Sequence, residues 1–217
     1  LRQIGIAQTN YSNANQDWII QCFAVASGTY GDARYWYSIL SATAPDGGAH
    51  PYASTNYGVS YYGSNINKGS FVCPSANAPL SDGSQPGYKY THYGVNTYLT
   101  GSNISSSTNE YHARKTASIS GPSQAVFGGD INRRTNSAIN SIRYFAYRHG
   151  AGDTRPDGAT AAPRSGSLVN LSYMDGHAAT GSDAVMLAMP APPEAPETSS
   201  TKKALFNGYR FGARRMF

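Results

Sequence analysis

The chain has few charged residues and very little glutamate. Of its 217 residues only 13% are Asp, Glu, Lys or Arg, and glutamate occurs three times, whereas about a quarter charged is usual for a globular domain. The sequence contains no GxSxG, HExxH or P-loop motif and no paired glutamates suited to acid–base chemistry. We therefore predict a protein that is not an enzyme.

Cysteine is also scarce. The two cysteines, Cys22 and Cys73, do not form a CxxC pair, so they indicate neither a disulfide-rich miniprotein nor a zinc ribbon. In an exported chain they would form one disulfide that closes a loop of about 50 residues, which stabilises the fold by about 3–4 kcal/mol. The alternative is two buried thiols. We expect the disulfide.

Outside its C-terminal end, the sequence has no excess of basic over acidic residues. The formal net charge is +5, and residues 1–200 are neutral overall. The excess consists of Lys202, Lys203, Arg210, Arg214 and Arg215. Since no basic stripe alternates with aromatic residues elsewhere, nucleic acid is not an expected partner. A local basic end favours contact with a neighbouring subunit or an anionic surface.

No run of about 18 apolar residues is present to span a bilayer, and the chain starts without Met. Its first residues instead predict the end of a helix, because Leu1, Ile4, Ala7, Gln8 and Tyr11 share one face at helical spacing. No N-cap residue precedes this face. We expect that an upstream part of the helix has been removed or left out.

Glycine and tyrosine, in contrast, are abundant, with 23 and 17 residues. This composition is typical of exported proteins rich in strands and loops. Residues 45–67 form a polar segment with the aromatic residues Tyr52, Tyr57, Tyr61 and Tyr62. Tyrosines supply contact area at low entropic cost, so we predict a subunit interface. The alternative is a carbohydrate-binding surface, with these rings and Trp36 stacking on sugars.

Apolar and alternating runs predict one short helix and several strands. The helix is expected at 33–42 and the strands at 69–75, 88–99, 121–132, 141–150 and 166–179, the last three forming an antiparallel meander. Pro-rich residues 190–201 predict an extended linker. We thus divide the chain into a domain at 1–189, whose residues 1–15 end the N-terminal helix, the linker, and a tail at 202–217.

The segment from Arg148 to Ala178 raises the question of a metal site. His149, Asp175 and His177, with Asp153 or Asp157, offer ligands for Zn²⁺ or a similar ion. Their spacing matches no zinc motif, and Asp-Gly is a common turn pair. We favour a structural hairpin, in which His149 bonds to the backbone of the turn; its residues are Arg148, His149, Asp175, Gly176 and His177.

Several stretches in fixed order resemble one family. They are LRQIGIAQTNYSNANQDW, YWYSIL, FVCPS, YGVNTYL, PSQAVFGGDI, RHG and VNLSYMDGHA. They resemble bacterial exported proteins with a prepilin-type cleavage signal and a C-terminal His…Asp-Gly signature, relatives of type II secretion pseudopilins and type IV pilins. The chain departs from this pattern in the long insertion between His149 and Asp175 and in lacking the apolar N-terminal helix.

The resemblance implies an α+β, pilin-like fold, with the end of an N-terminal helix packed on an antiparallel sheet. It implies an exported structural subunit at the cell surface or outside a bacterium, which assembles into a filament with itself or with other pilin-like subunits. Contact with the membrane would be made only through the N-terminal helix absent from this chain. We expect no cofactor; because some pseudopilins hold calcium, Ca²⁺ at Asp153, Asp157 and Asp175 is the alternative.

The tail is expected to connect subunits. Its apolar residues would favour aggregation unless buried, and proline in 190–201 keeps it out of the sheet. We predict that 202–217 docks on an adjacent copy through Phe206, Tyr209, Arg210, Phe211, Arg214, Arg215 and Phe217.

Overall fold

A computed structural model describes residues 1–24, 34–81, 87–101, 114–119, 121–159 and 161–188. The helices are α1 (Arg2–Ala14), α2 (Trp36–Ser41), α3 (Thr97–Thr100) and α4 (Asp183–Ala188). The strands are β1 (Phe23–Ala24), β2 (Arg34–Tyr35), β3 (Tyr93–Asn96), β4 (Val126–Asp130), β5 (Ala138–Ile139), β6 (His149–Gly150), β7 (Ser167–Tyr173) and β8 (Ala178–Ser182). The predicted linker and tail lie outside the described residues.

The main sheet has six strands. Strands β5, β3, β4 and β7 are hydrogen-bonded in that order, β6 and β8 both pair with β7, and β1 and β2 form a separate pair. All pairs in the main sheet are antiparallel except β3 with β5. The coarse α+β prediction therefore agrees with the structure: a mixed fold built on one sheet with few helices.

The predicted meander is wrong. Residues 141–150 do not form one strand: Ile142–Tyr144 is a 3₁₀ helix, and only β6 joins the sheet. The Ser141 hydroxyl accepts a hydrogen bond from the Arg143 amide, which caps this turn and interrupts the extended chain. Strand β7 instead pairs directly with β4. The strand expected at 69–75 is also absent, since these residues form turns and irregular chain.

Helix α1 forms where the apolar spacing predicts it. Ile4, Ala7 and Gln8 are buried, and the Gln8 side chain accepts a hydrogen bond from the Ile20 amide at 3.2 Å. The helix ends at Ala14 because Gln16 and Asp17 adopt positive φ angles of 53° and 67°, which a right-handed helix cannot accommodate.

The sheet is covered on both faces. One apolar cluster contains Phe127 with residues of α1 and α2, while its chain neighbour Val126 belongs to a second cluster with Val169 and Leu171. Consecutive strand residues point to opposite faces, so the sheet separates the two clusters. This explains why every residue of β3 and β4 is buried.

Candidate functional site

Strand pairing brings β4 and β6 onto the same edge of β7. Leu168 pairs with both His149 and Ser182, so β6 and β8 lie on opposite edges. Leu171 pairs with both Gly129 and Ala179, so β4 also lies opposite β8. Strands β4 and β6 therefore follow one another along a single edge of β7, and the end of β4 faces the start of β6.

Asp130 is the last residue of β4, and its carboxylate is buried at this junction. The side chain has no solvent exposure, so the charge requires polar partners. Its Oδ2 atom accepts a hydrogen bond from the Asn170 amide at 3.1 Å and lies 3.1 Å from His149 Nε2. Its Oδ1 atom accepts no hydrogen bond from the part of the chain that the structure describes.

His149 joins Asp130 to the middle of β7. Its Nε2 atom is also 2.9 Å from the Asn170 side-chain amide. The Asn170 Oδ1 atom accepts a hydrogen bond from the Thr180 hydroxyl at 3.0 Å, so the Asn170 Nδ2 group is the one that faces the imidazole.

Cys73 completes the group from a loop. One ligand atom from each of Cys73, Asp130 and His149 lies within 4.8 Å of the other two; we call these residues the Asp130 cluster. The Cys73 amide donates to His92 Nδ1 at 2.9 Å. Burial raises the pKa of the Cys73 thiol, and the charge of Asp130 raises it further, so the thiol stays protonated at neutral pH.

Arg148 is the cation next to the cluster. Its Nε lies 3.8 Å from Asp130 Oδ1, and its Nη2 donates to the Ile131 carbonyl at 2.7 Å and the Tyr88 hydroxyl at 3.1 Å. Burial, followed by the charge of Arg148, lowers the pKa of His92 to about 4. His92 is therefore neutral near pH 7, and the charges of Arg148 and Asp130 balance.

The structure places the predicted hairpin residues at two separate sites. Gly176, with φ of 86°, turns the chain between β7 and β8, and its amide donates to the Tyr173 carbonyl at 3.0 Å. His177 Nδ1 lies 2.6 Å from Asp175 Oδ1, and its ring stacks on Tyr173 at 4.2 Å. The expected bond from His149 to this turn is wrong, because β6 pairs with the opposite end of β7.

The structure does not bring the predicted calcium ligands together. Asp153 forms an ion pair with Arg155 at 2.7 Å, Asp157 accepts a hydrogen bond from the Arg134 amide at 2.7 Å, and Asp175 is at the β7–β8 turn. Each carboxylate thus has its own partner in the protein. Among the described residues, the group with metal-ligand geometry is the Asp130 cluster.

The predicted disulfide is wrong. Cys22 and Cys73 are both free and buried. They belong to the same apolar cluster but have different neighbours: Cys22 Sγ lies 3.9 Å from the Ser137 carbonyl, while Cys73 faces Asp130 and His149. The alternative of two buried thiols is the correct one.

The tyrosines of residues 45–67 fall into two groups. Tyr61 is buried, and Tyr57 is partly buried against the Tyr11 ring at 5.4 Å. Tyr52 and Tyr62 are more exposed, at 50% and 42% of their surface, and Lys68 Nζ lies 4.3 Å from the centre of the Tyr62 ring. Of the proposed interface residues, those after residue 201 lie outside the described part of the chain.

Sequence reasoning missed Asp130, Asn170 and the involvement of Cys73. Asp130 was visible as a charge that directly follows the apolar run AVFGG, and a carboxylate at the end of a buried strand needs partners. The pairing of β4 and β6 along β7, which selects those partners, has no local signal in the sequence.

Comparisons of the chain with protein-family models, with curated proteins and with solved structures found no match. Across the residues that the structure describes, no helix has the length and apolar character needed to cross a membrane.

Proposed function

We propose that the chain is an exported, non-enzymatic structural subunit of the pilin or pseudopilin kind, which assembles with copies of itself. The ordered sequence motifs support this proposal, as does a helix packed against a sheet. The observation that carries it is the outer surface of α1. Ile6 lies there with 45% of its surface exposed, beside a groove of about 500 Å³ between α1 and the β7–β8 turn.

The groove suits a protein partner that presents both apolar and charged groups. Ile6 provides an apolar wall, Arg2 a positive charge, and Asp175 with His177 a polar opposite wall. Interfaces commonly combine an apolar centre with a polar rim. Since the groove carries both signs of charge, two copies can present complementary groups to one another, and contacts repeated in this way build a filament or a closed oligomer.

The contact between α1 and the turn is close. A Cβ atom on Gly5 would lie 3.0 Å from the Gly176 Cα, so glycine at both positions lets the two backbones approach. Helix and turn therefore form one continuous surface, and the proposed partner would contact both.

A matched pair of substitutions tests the proposal. Ile6→Ser removes the apolar wall, while Ile66→Ser changes an isoleucine of similar exposure, 43% against 45%, in a different part of the surface. Isoleucine and serine have similar helix propensities, so α1 should be preserved. We expect Ile6→Ser to weaken assembly at least tenfold, as measured by sedimentation and electron microscopy, while Ile66→Ser assembles normally. A wild-type chain that stays monomeric at high concentration contradicts the proposal.

The exposure of Tyr52 and Tyr62 favours a second candidate, a carbohydrate-binding module, because exposed aromatic rings stack on sugars. Tyr61 and Tyr57 are more deeply packed in the protein, so Tyr52 and Tyr62 are the tyrosines of this segment with the most exposed surface. Titration calorimetry with oligosaccharides tests it. Binding by the wild type that is lost in both Tyr52→Ala and Tyr62→Ala would replace the assembly hypothesis.

A further inference from the structure

We propose that the Asp130 cluster binds one Zn²⁺ or a similar divalent transition-metal ion through Cys73, Asp130 and His149. Sulfur, carboxylate oxygen and imidazole nitrogen together are the donor set that Zn²⁺ takes in proteins. This ligand set differs from the group of His149, Asp175 and His177 considered from the sequence, because it joins three separate segments of the chain.

The distances fit a metal site whose ligands shift slightly when the ion binds. The three ligand atoms lie within 4.8 Å of one another, and His149 Nε2 lies 3.1 Å from Asp130 Oδ2. Zn²⁺ holds such atoms at about 2.0–2.3 Å, so its tetrahedral neighbours lie roughly 3.3–3.8 Å apart. A fourth position would be taken by water.

A second observation points to a ligand at this place. The Asp130 side chain has no solvent exposure, yet its Oδ1 accepts no hydrogen bond within the described residues. A buried carboxylate oxygen that has no hydrogen bond, and whose ion pair with Arg148 spans 3.8 Å, is costly. Binding of a cation at Oδ1 would remove this cost, while Oδ2 keeps the hydrogen bond from the Asn170 amide.

Arg148 is the group that opposes a cation here. Its Nε is 3.8 Å from Asp130 Oδ1, which is too long for a hydrogen bond. The guanidinium is held by the Ile131 carbonyl and by Tyr88, whose ring lies 5.3 Å away. Arg148 can therefore keep its place when metal binds. The thiolate and the carboxylate offset both charges of the ion, the proton released by Cys73 goes to solvent, and the site keeps one net positive charge from Arg148.

The competing explanation is a water molecule between Asp130 Oδ1 and Arg148 Nη1, which also lacks a partner among the described residues. Water satisfies both atoms and leaves the Cys73 thiol protonated. The two explanations differ in the state of one sulfur atom, so a spectroscopic signal from that sulfur separates them.

Titration with Co²⁺ supplies this signal, since thiolate bound to cobalt gives a charge-transfer absorption band in the near ultraviolet. The purified full chain, stripped with chelator and kept reduced with a phosphine, should develop the band at one equivalent of Co²⁺ and lose it when Zn²⁺ is added. Cys22→Ser is the matched control, because it removes the other buried thiol. We expect the band to persist in Cys22→Ser and to disappear in Cys73→Ser.

Melting temperatures measured with and without Zn²⁺ provide a second test in case Cys73→Ser folds poorly. Zn²⁺ should raise the melting temperature of the wild type and of Cys22→Ser, and it should leave that of His149→Gln unchanged. Absence of the cobalt band in folded wild type overturns the proposal without any variant. A band that survives in Cys73→Ser, or that is lost in folded Cys22→Ser, overturns it as well.

Discussion

Asp130 and His149 are 19 positions apart in the chain, yet the Asp130 Oδ2 and His149 Nε2 atoms lie 3.1 Å from one another. They meet because β4 and β6 share one edge of β7. Arg148, the neighbour of His149, brings a guanidinium with only 6% side-chain exposure to the same carboxylate. Asp130 thus contacts two consecutive residues: Arg148, which precedes β6, and His149, the first residue of β6.

Replacement of Asp130 should be among the most damaging single changes. Asp130→Ala leaves Arg148 buried without a counter-charge, and loss of one partner of a buried ion pair costs about 3–5 kcal/mol. Asp157→Ala is the control, since this exposed aspartate accepts one hydrogen bond from Arg134 and should cost about 1 kcal/mol. Urea unfolding of both variants measures the difference. Equal losses would show that Asp130 does not support the sheet.

The pairing of Asp153 with Arg155 should make stability depend on pH in the acid range. Burial alone would raise the pKa of Asp153, but the hydrogen bonds and charge of Arg155 bring it below 3.8. A carboxyl whose pKa is lowered in the folded state stabilises the protein above its unfolded pKa, and the contribution is lost as pH falls through the folded value.

The measurement compares wild type with Asp153→Asn by urea unfolding between about pH 2 and pH 6. We expect the wild type to be more stable at the upper end and the difference to shrink as the pH falls. A difference that is constant over this range would show that Asp153 is not charged in the folded state or that Arg155 does not stabilise it.

The adjacent residues Tyr61 and Tyr62 should differ strongly in how much stability is lost on truncation to alanine. Tyr61 is 4% exposed and packs on Tyr37 and Phe71 at 5.0 and 5.8 Å, so Tyr61→Ala should cost about 3–5 kcal/mol. Tyr62 is 42% exposed, so Tyr62→Ala should change stability by about 0.5 kcal/mol or less. Thermal unfolding of the two variants checks this. Similar losses would mean that Tyr62 also belongs to the core.

Local patterns in the sequence predicted the helices α1 and α2 and the β7–β8 turn, which depend on residues close together in the chain. The apolar spacing of Ile4, Ala7 and Gln8 gave the buried face of α1, and the Asp175–Gly176 pair predicted the β7–β8 turn. Residues 33–42 gave α2. In each case the residues that determine the structure lie within about one turn or one hairpin of each other, which is the range over which spacing and turn chemistry act.

Long-range arrangement could not be predicted in the same way. Alternating residues at 141–150 indicated a strand, but Ser141 caps a turn there, and tertiary contacts override the pattern. The pairing of β4 and β6 along one edge of β7 depends on which strands meet after collapse. The same limit applies to the Asp130 cluster: Cys73 was assigned to Cys22 because the sequence holds no other cysteine, whereas the fold directs it to Asp130 and His149.

The free cysteines should be unreactive in the folded protein. Burial raises the pKa of Cys22 to about 12 and that of Cys73 above its ordinary value, and thiolate is the form that reacts. We expect a thiol reagent at about pH 8 to label neither cysteine in native protein and both after unfolding in guanidinium. Intact mass measured without reductant should correspond to two thiols.

The variants Cys22→Ser and Cys73→Ser identify which thiol reacts first as denaturant is added. Cys73 is slightly more accessible, with 4% exposure against 1% for Cys22, although both cysteines belong to the same apolar cluster. Cys73 should therefore become labelled at lower denaturant, through local opening rather than global unfolding. Labelling of both cysteines at the same midpoint would show that the Cys73 loop opens only with the whole domain, and a mass two hydrogens lower would restore the disulfide.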